Sequence, residues 1–187
     1  PLMFMAQDRE IADEAFPGDV IGIPSHGGLR VGDSLSQSGD VVFQGIPNFA
    51  PEILKRVRVR DPLKQKHLRK ALEALGEEGV TQVFKPVGGG DLVVGAVGAL
   101  QFDVLDERMK AEYGLEVIFE PSPYQAARWV SAESRTDLDA FVDKSNAQMA
   151  EDVDGAPVFL GKSDWEIGYV QEKNPKVRFS AAKERAA

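Results

Sequence analysis

The spacing of apolar residues divides the chain into two regions of different pattern. Across residues 1–46, short apolar runs at Leu2–Met5, Val20–Ile23 and Val41–Phe43 are separated by the turn-forming stretches FPGD and HGG. Proline and glycine punctuation at this interval predicts short antiparallel strands of the barrel type. Three such strands cannot close a barrel, so an edge must be open or covered. The region reads as the tail of an antiparallel β-barrel whose beginning is missing, and Pro1, standing where an initiator methionine would be, reads as a cut.

After the proline-bearing linker GIPNFAP, each strand-like run is followed by a helical period. Ile53 to Arg60 alternates, with Ile53, Val57 and Val59 on one face and Arg56, Arg58 and Arg60 on the other. Asp61 caps the helix that follows, and Pro62 takes its first position, where a missing N–H is harmless. Leu68, Ala71, Leu72 and Leu75 form the apolar stripe of this helix, Lys66, Arg69, Lys70 and Glu73 face away, and Gly79 ends it. VTQVFKPV, GGGD and LVVGAVG read as a hairpin. A second helix carries Phe102, Leu105, Met109 and Tyr113 and stops at Gly114, and LEVIFEP is the next strand. The order βαββαβ is the ferredoxin-like arrangement. Beyond it the pattern predicts a strand at YQAARWVSA and a helix opened by Thr136, with Leu138, Phe141, Val142 and Met149 along one side. PVFLGK is strand-like, SDWE is a capping box for a short helix ending before Asn174, and KVRFSA is a last strand. The expected fold class is α+β: a barrel tail over 1–46, then a domain over 47–187 made of a ferredoxin-like unit (53–121) and an additional C-terminal α/β extension (124–181).

Composition narrows the chemistry. At 187 residues, 43% hydrophobic and 28% charged, the chain can build a core without covalent staples. It has no cysteine, which excludes disulfides, thiolate metal sites and a thiol nucleophile and fits the cytoplasm. No apolar run approaches the roughly 20 residues that span a bilayer, and no membrane partner is expected. The net charge of −8 argues against indiscriminate binding to phosphate backbones. The charge is unevenly placed, however. From Ile53 to Lys70 eight cations, Lys55, Arg56, Arg58, Arg60, Lys64, Lys66, Arg69 and Lys70, face the single acid Asp61, giving +7 and leaving −15 for the rest. Three arginines at alternate strand positions, followed by a lysine-rich helix, suit phosphate or carboxylate, and the helix-free face of an open ferredoxin-like sheet would present them. The bland alternative is that Asp91, Glu116 or Glu120 neutralises the row within the chain.

Other motifs carry less. Gly161, Lys162 and Ser163 match the end of a phosphate-binding loop, but Ala156 stands where its first glycine is required, so the match is chance. GGGD joins two strands and is explained by turn chemistry. His26 and His67 have no metal-ligand spacing. Asp103, Asp106 and Glu107, like Asp137 and Asp139, suit solvated helix faces and caps rather than acid–base catalysis. Trp129 and Trp165 read as core.

The wording of the chain goes further than its periodicity. MAQDREIADEAFPGDVIGI, GIPNFAPEILKRVRVRDPLKQKHLRKAL, EEGVTQVFKP, DLVVGAVGALQFDVLDERMKAEYGLEV and ARWV, in this order, closely resemble the bacterial peptide chain release factor 3 family of translational GTPases. The resemblance covers essentially the whole chain. It implies that residues 1 to about 46 are the last strands of the family's barrel domain and that the remainder is its C-terminal domain. A related block with the same βαββαβ order occurs in elongation factor G, but the stretch from ARWV to VRFS is like the release factor. The family's GTPase domain has no counterpart here, so the resemblance implies no catalytic, cofactor-binding or metal residue in this fragment. GTP, GDP and magnesium would belong to the missing domain. The family member, in its GTP form on the ribosome, promotes departure of class I release factors. The implied partners are the ribosome, through ribosomal RNA or protein, and the parent GTPase domain. Arg56, Arg58, Arg60, Lys64, Lys66, Arg69 and Lys70 are the expected ribosome-contacting set. The competing expectation is a stand-alone ferredoxin-like regulatory domain that binds a small ligand between paired units, which a pocket lined by GGGD and the helix that begins near Ala99 would support. An independent enzyme ranks third, because no constellation of residues converges.

Overall fold

The computed structural model describes residues 2–5, 8–11, 14–23, 33–39 and 47–183. Near the N-terminus, β1 (Leu2–Met5), β2 (Asp8–Ile11) and β3 (Ile21–Gly22) form an antiparallel sheet in the order β2-β1-β3. Phe16 to Asp19 is the expected turn: the Asp19 carboxylate accepts from Phe16 N at 2.8 Å, and Gly18 supplies a φ of 100°. The strand expected at Val41–Phe43 lies outside the described residues, and among the described residues the sheet is open and no barrel closes. β4 (Asn48–Phe49) then starts the larger body.

That body contains the βαββαβ order twice. The first unit is β5 (Ile53–Val59), α1 (Gln65–Glu77), β6 (Gln82–Pro86), β7 (Leu92–Ala96), α2 (Leu100–Tyr113) and β8 (Val117–Pro121), with strands in the order β6-β7-β5-β8. Asp61 caps as expected, accepting from Leu63 N at 3.0 Å, but the turn it opens is a 3-10 turn, Pro62–Lys64, that leads into α1. Gly79 and Gly114 end the two helices in left-handed conformation, where a side chain would be strained.

The second unit is β9 (Ala126–Ala132), α3 (Arg135–Lys144), β10 (Met149–Glu151), β11 (Pro157–Gly161), α4 (Asp164–Lys173) and β12 (Val177–Ser180), ordered β12-β9-β11-β10. The predicted extension is therefore a second copy of the first unit's topology. Two local readings concealed it. The third helix starts after Ser134, two residues earlier than an opening at Thr136 implies, and stops at Ser145 with a 3-10 turn over Asn146–Gln148. Met149 therefore belongs to β10 and not to the helical stripe. The Asp154-Gly155 pair that closes the β10–β11 hairpin was the overlooked signal. Asp152 accepts from Asp154 N at 3.0 Å and from Ala156 N at 2.8 Å, and Gly155 has φ 77°.

The second strands of the two units, β6 and β10, pair antiparallel at Ala150↔Pro86 and Glu151↔Lys85. The result is one eight-stranded sheet whose halves are related by an approximate two-fold rotation at the join. Each helical face has its own core. Val57, Leu68, Leu72, Leu75, Phe102, Leu105 and Met109 lie between α1, α2 and the first half, and Phe141, Met149, Phe159, Ile167 and Val177 lie between α3, α4 and the second. The alternate residues of the same strands form a third core in which Leu54, Phe84 and Val93 pack with Ala127, Trp129, Ala150, Val158 and Leu160. The two helix-free faces thus cover each other, giving helices, half-sheet, half-sheet, helices. The expectation of an uncovered sheet face is overturned, because that face is interior. All five residues of β7 are consequently buried.

The C-terminal strand fastens this sandwich to the linker. β13 (Ala182–Lys183) pairs with β4, and Ala50 N donates to Ala181 O at 2.7 Å. Lys183 Nζ reaches Asp152 at 2.6 Å and Asp154 at 2.8 Å, and Trp129 Nε1 donates to the same Asp152 oxygen at 2.9 Å.

Three outcomes follow from this packing. Phe84→Ala, at a side chain with no exposure, is expected to cost about 3–5 kcal/mol. Because the central core is common to both halves, urea unfolding followed by tryptophan fluorescence and by circular dichroism should stay coincident for the larger body. Separate transitions for the two units would contradict the shared core. Asp152→Ala removes the acceptor of Trp129 and one partner of Lys183 and should cost about 1–3 kcal/mol, measured by the same unfolding curves.

Candidate nucleic-acid interface

β5 sorts its side chains by face. Ile53, Val57 and Val59 turn toward the helices, and so does Lys55, whose ammonium lies 4.3 Å from the Phe102 ring centroid. Leu54 is on the opposite side, in the central core, and Arg56, Arg58 and Arg60 continue its row outward to the rim. At the rim each arginine meets an acid of its own chain. Arg58 donates from Nε to Asp91 Oδ2 at 2.7 Å and places Nη1 3.8 Å from Glu120. Arg56 Nη2 is 3.3 Å from Glu120, and its Nε donates to Pro121 O at 3.3 Å. Arg60 Nε is 3.6 Å from Glu116. The hydrogen bond and charge of Asp91, with Glu120 behind them, raise the Arg58 guanidinium above its ordinary pKa. These partners are the three acids the sequence offered for internal neutralisation, and register explains the choice. Arg56 lies opposite Glu120 in β8, while Asp91 immediately precedes the neighbouring strand β7.

The helical part of the set behaves differently. Lys64 Nζ donates to Gly114 O at 3.1 Å, at the carbonyl end of α2, where a cation is favoured but keeps its charge. Lys66, Arg69 and Lys70 are exposed, and among the described residues none has a carboxylate within ion-pair distance. Their spacing, i, i+3, i+4, puts them on one face of α1, opposite Leu68, Ala71, Leu72 and Leu75. Leu63 is 92% exposed at the start of the same surface. The seven candidate residues therefore fall into a paired arginine rim and an open cationic helix.

The remaining candidates become structural. Ser163 caps α4 by accepting from Glu166 N at 3.1 Å, and the Glu166 carboxylate accepts from Lys162 N at 2.6 Å, so the GKS stretch is a capping box. Gly161 is needed because a Cβ there would meet Ile167 at 2.6 Å. Gly89 and Gly90 have positive φ in the β6–β7 turn, and Asp91 is taken by Arg58. A cavity of about 150 Å³ lies among Thr81, Gln82, Phe84, Trp129, Asp152 and Gln101. Small-molecule sites run to roughly 300–1,000 Å³, and the Gly88–Asp91 turn does not line this one. Among the described residues no group of three or more potential metal ligands converges, and no helix is long and apolar enough to cross a membrane.

Trp129 is core, as expected, at 8% exposure, but Trp165 is not: it stands 76% exposed on α4. The missed signal is helical phase. Ile167 and Val170 set the inward stripe of α4, which puts Trp165 and Tyr169 outside it.

The chain matches the family model described as class II release factor RF3, C-terminal domain, over residues 43–171. A solved protein structure from Thermus thermophilus is similar at 23% identity and a TM-score of 0.49. That match covers 81% of this chain and 24% of the other, so the chain spans about a quarter of that protein's length. The family match runs from just before the linker, across the basic strand and helix and the whole first βαββαβ unit, and through the second unit into α4. On that extent the chain belongs to the family of the class II release factor RF3 C-terminal domain, part of a translation termination factor.

Proposed function

We propose that this chain is a non-catalytic, ribosome-docking part of the termination factor, and that the factor uses it when promoting departure of class I release factors. The observation that carries the reading is the α1 face, where Lys66, Arg69 and Lys70 stand exposed without carboxylate partners among the described residues. In a chain of net charge −8, an unneutralised cationic helix is an oriented contact for phosphates. Lys64 extends that surface, and Arg60, paired at 3.6 Å with Glu116, borders it. Arg56 and Arg58 hold the rim of the sandwich together and can join the contact only by exchanging their internal acids. GTP, magnesium and hydrolysis belong, on this reading, to another domain of the factor, and residues 1–46 to a barrel that precedes this body. The cytoplasm is where such a factor acts.

The test uses the full-length factor. Lys66→Glu, Arg69→Glu and Lys70→Glu together should slow release-factor recycling and reduce the slope of log affinity for the ribosome against log salt by about three. Unchanged recycling and slope in a folded variant would remove α1 from the mechanism. Arg58 distinguishes pairing from docking. Arg58→Gln should lower the thermal midpoint and leave ribosome affinity unchanged, whereas Asp91→Asn, which removes the closer of its two acids and leaves Glu120 at 3.8 Å, should strengthen salt-dependent binding.

A further inference from the structure

The exposed face of α4 carries an ordered aromatic stack unrelated to the hydrophobic cores. The Trp165 and Tyr169 rings lie 12° from parallel with centroids 5.6 Å apart, and Lys173 Nζ lies 5.6 Å from the Tyr169 centroid. The three residues follow one another at i, i+4 and i+8, so Tyr169 covers one side of the indole and Lys173 continues the column toward the C-terminus. With Trp165 at 76% exposure, the other side of the indole is open. It faces the N-terminal end of α4, since Tyr169 lies one turn toward the C-terminus.

That open side has a definite electrostatic setting. The Asp164 carboxylate is held by Arg128 Nη2 at 2.9 Å, and the Glu166 carboxylate is engaged by Lys162 N at 2.6 Å and Gln148 Nε2 at 3.1 Å. The Glu166 carboxylate is thus turned onto the backbone and Gln148, the Asp164 carboxylate is paired with Arg128 but largely exposed, and Lys162 is exposed just before the cap. Glu172, two turns on, borders a separate groove with Gly168 and Arg178. A flat ring left open on one side matches an unpaired base, whose π-face stacks on an indole whatever the sequence.

We infer that Trp165, backed by Tyr169, is a stacking platform for an unpaired RNA base, a second nucleic-acid contact on the opposite helical layer from α1. The inference rests on the ribosome-docking reading but concerns a different surface and a different force. Stacking on aromatic side chains is tolerant of sequence and adds little to the salt dependence that phosphate contacts create.

The two tryptophans provide the readout. Trp165 is open to quenching by a stacked base, and Trp129 is buried and serves as the internal reference. Titrating the 187-residue chain with a short single-stranded oligouridylate at low salt should quench the Trp165 emission. Trp165→Ala should abolish the quenching and weaken binding about tenfold without altering the salt slope, and Trp165→Phe should keep most of the affinity. Circular dichroism and Trp129 emission report that the variants are folded. Absence of binding, binding without quenching, or full affinity in Trp165→Ala overturns the platform, as does quenching by a polyproline peptide but not by RNA, which would assign the stack to a protein partner. If reversal of Lys66, Arg69 and Lys70 flattens the slope while Trp165→Ala changes nothing, α1 docks and the platform fails. If Trp165→Ala alone weakens binding and the reversal changes nothing, the platform stands and the α1 reading fails.

Discussion

The burial of two helix-free sheet faces against each other is the constraint from which most of the structure follows. A lone βαββαβ unit leaves one face of its sheet to solvent, and here that face carries Leu54, Phe84 and Val93. Joining β6 to β10 lets a second unit cover it with Ala127, Trp129, Val158 and Leu160. Exposing such side chains would cost about 1.5–3 kcal/mol each, so neither half is complete without the other. The central core also brings in a polar group, the indole N–H of Trp129, which needs an acceptor at the edge of the core. Asp152 supplies it, and the same carboxylate takes Lys183 and two loop amides. The hairpin loop, the C-terminal strand and, through β13, the linker strand β4 are thereby tied to one partly buried side chain.

The same constraint determines which cations are available. Along β5 the central-core face reads Leu54, Arg56, Arg58, Arg60, so the row leaves the interior gradually and its first guanidiniums sit where solvent is only partly accessible. An unpaired cation there would lose hydration without compensation. Pairing with Glu120 and Asp91 resolves this locally and links β5 to β8 and to the β6–β7 turn. The α1 cations lie on the outermost layer, fully hydrated, and have no such requirement. Strand arginines and helix lysines that look like one patch in the sequence therefore do different things in the fold.

Much of the first unit was legible from residues alone. Asp61, Gly79, the GGGD turn and Gly114 mark its boundaries, and the apolar stripes of both helices are buried as their periodicity implies. The second unit was not read as a repeat, because a three-residue strand has too few positions to show alternation and Met149 falls by accident on the helical phase of Phe141 and Val142. The mutual covering of the sheet faces was also hidden. Alternation tells that a strand has two faces, but whether the second meets solvent or another sheet depends on partners far along the chain. Ala127, Trp129 and Val158, alternating with Ala126, Val130 and Phe159, were apolar on both faces, which is the pattern of a strand buried on both sides. Trp165 was misplaced for a different reason: its bulk suggests burial, and only its phase against Ile167 and Val170 shows that it faces outward.

These charge assignments bear on how firmly α1 could hold a nucleic acid. Counted by residue, the segment from Ile53 to Lys70 is +7, but its three strand arginines, Arg56, Arg58 and Arg60, are matched by carboxylates of the chain and Lys55 is drawn onto Phe102. What projects outward is the field of Lys64, Lys66, Arg69 and Lys70, screened over about 10 Å at moderate ionic strength, against a body that is otherwise acidic. A contact of about three or four phosphates orients a factor and hastens its encounter, yet it is readily reversed by salt and by competing charge. On the docking reading, a short cationic helix on an anionic body would favour correct placement over tight adhesion. Any further affinity has to come from interactions that do not depend on charge.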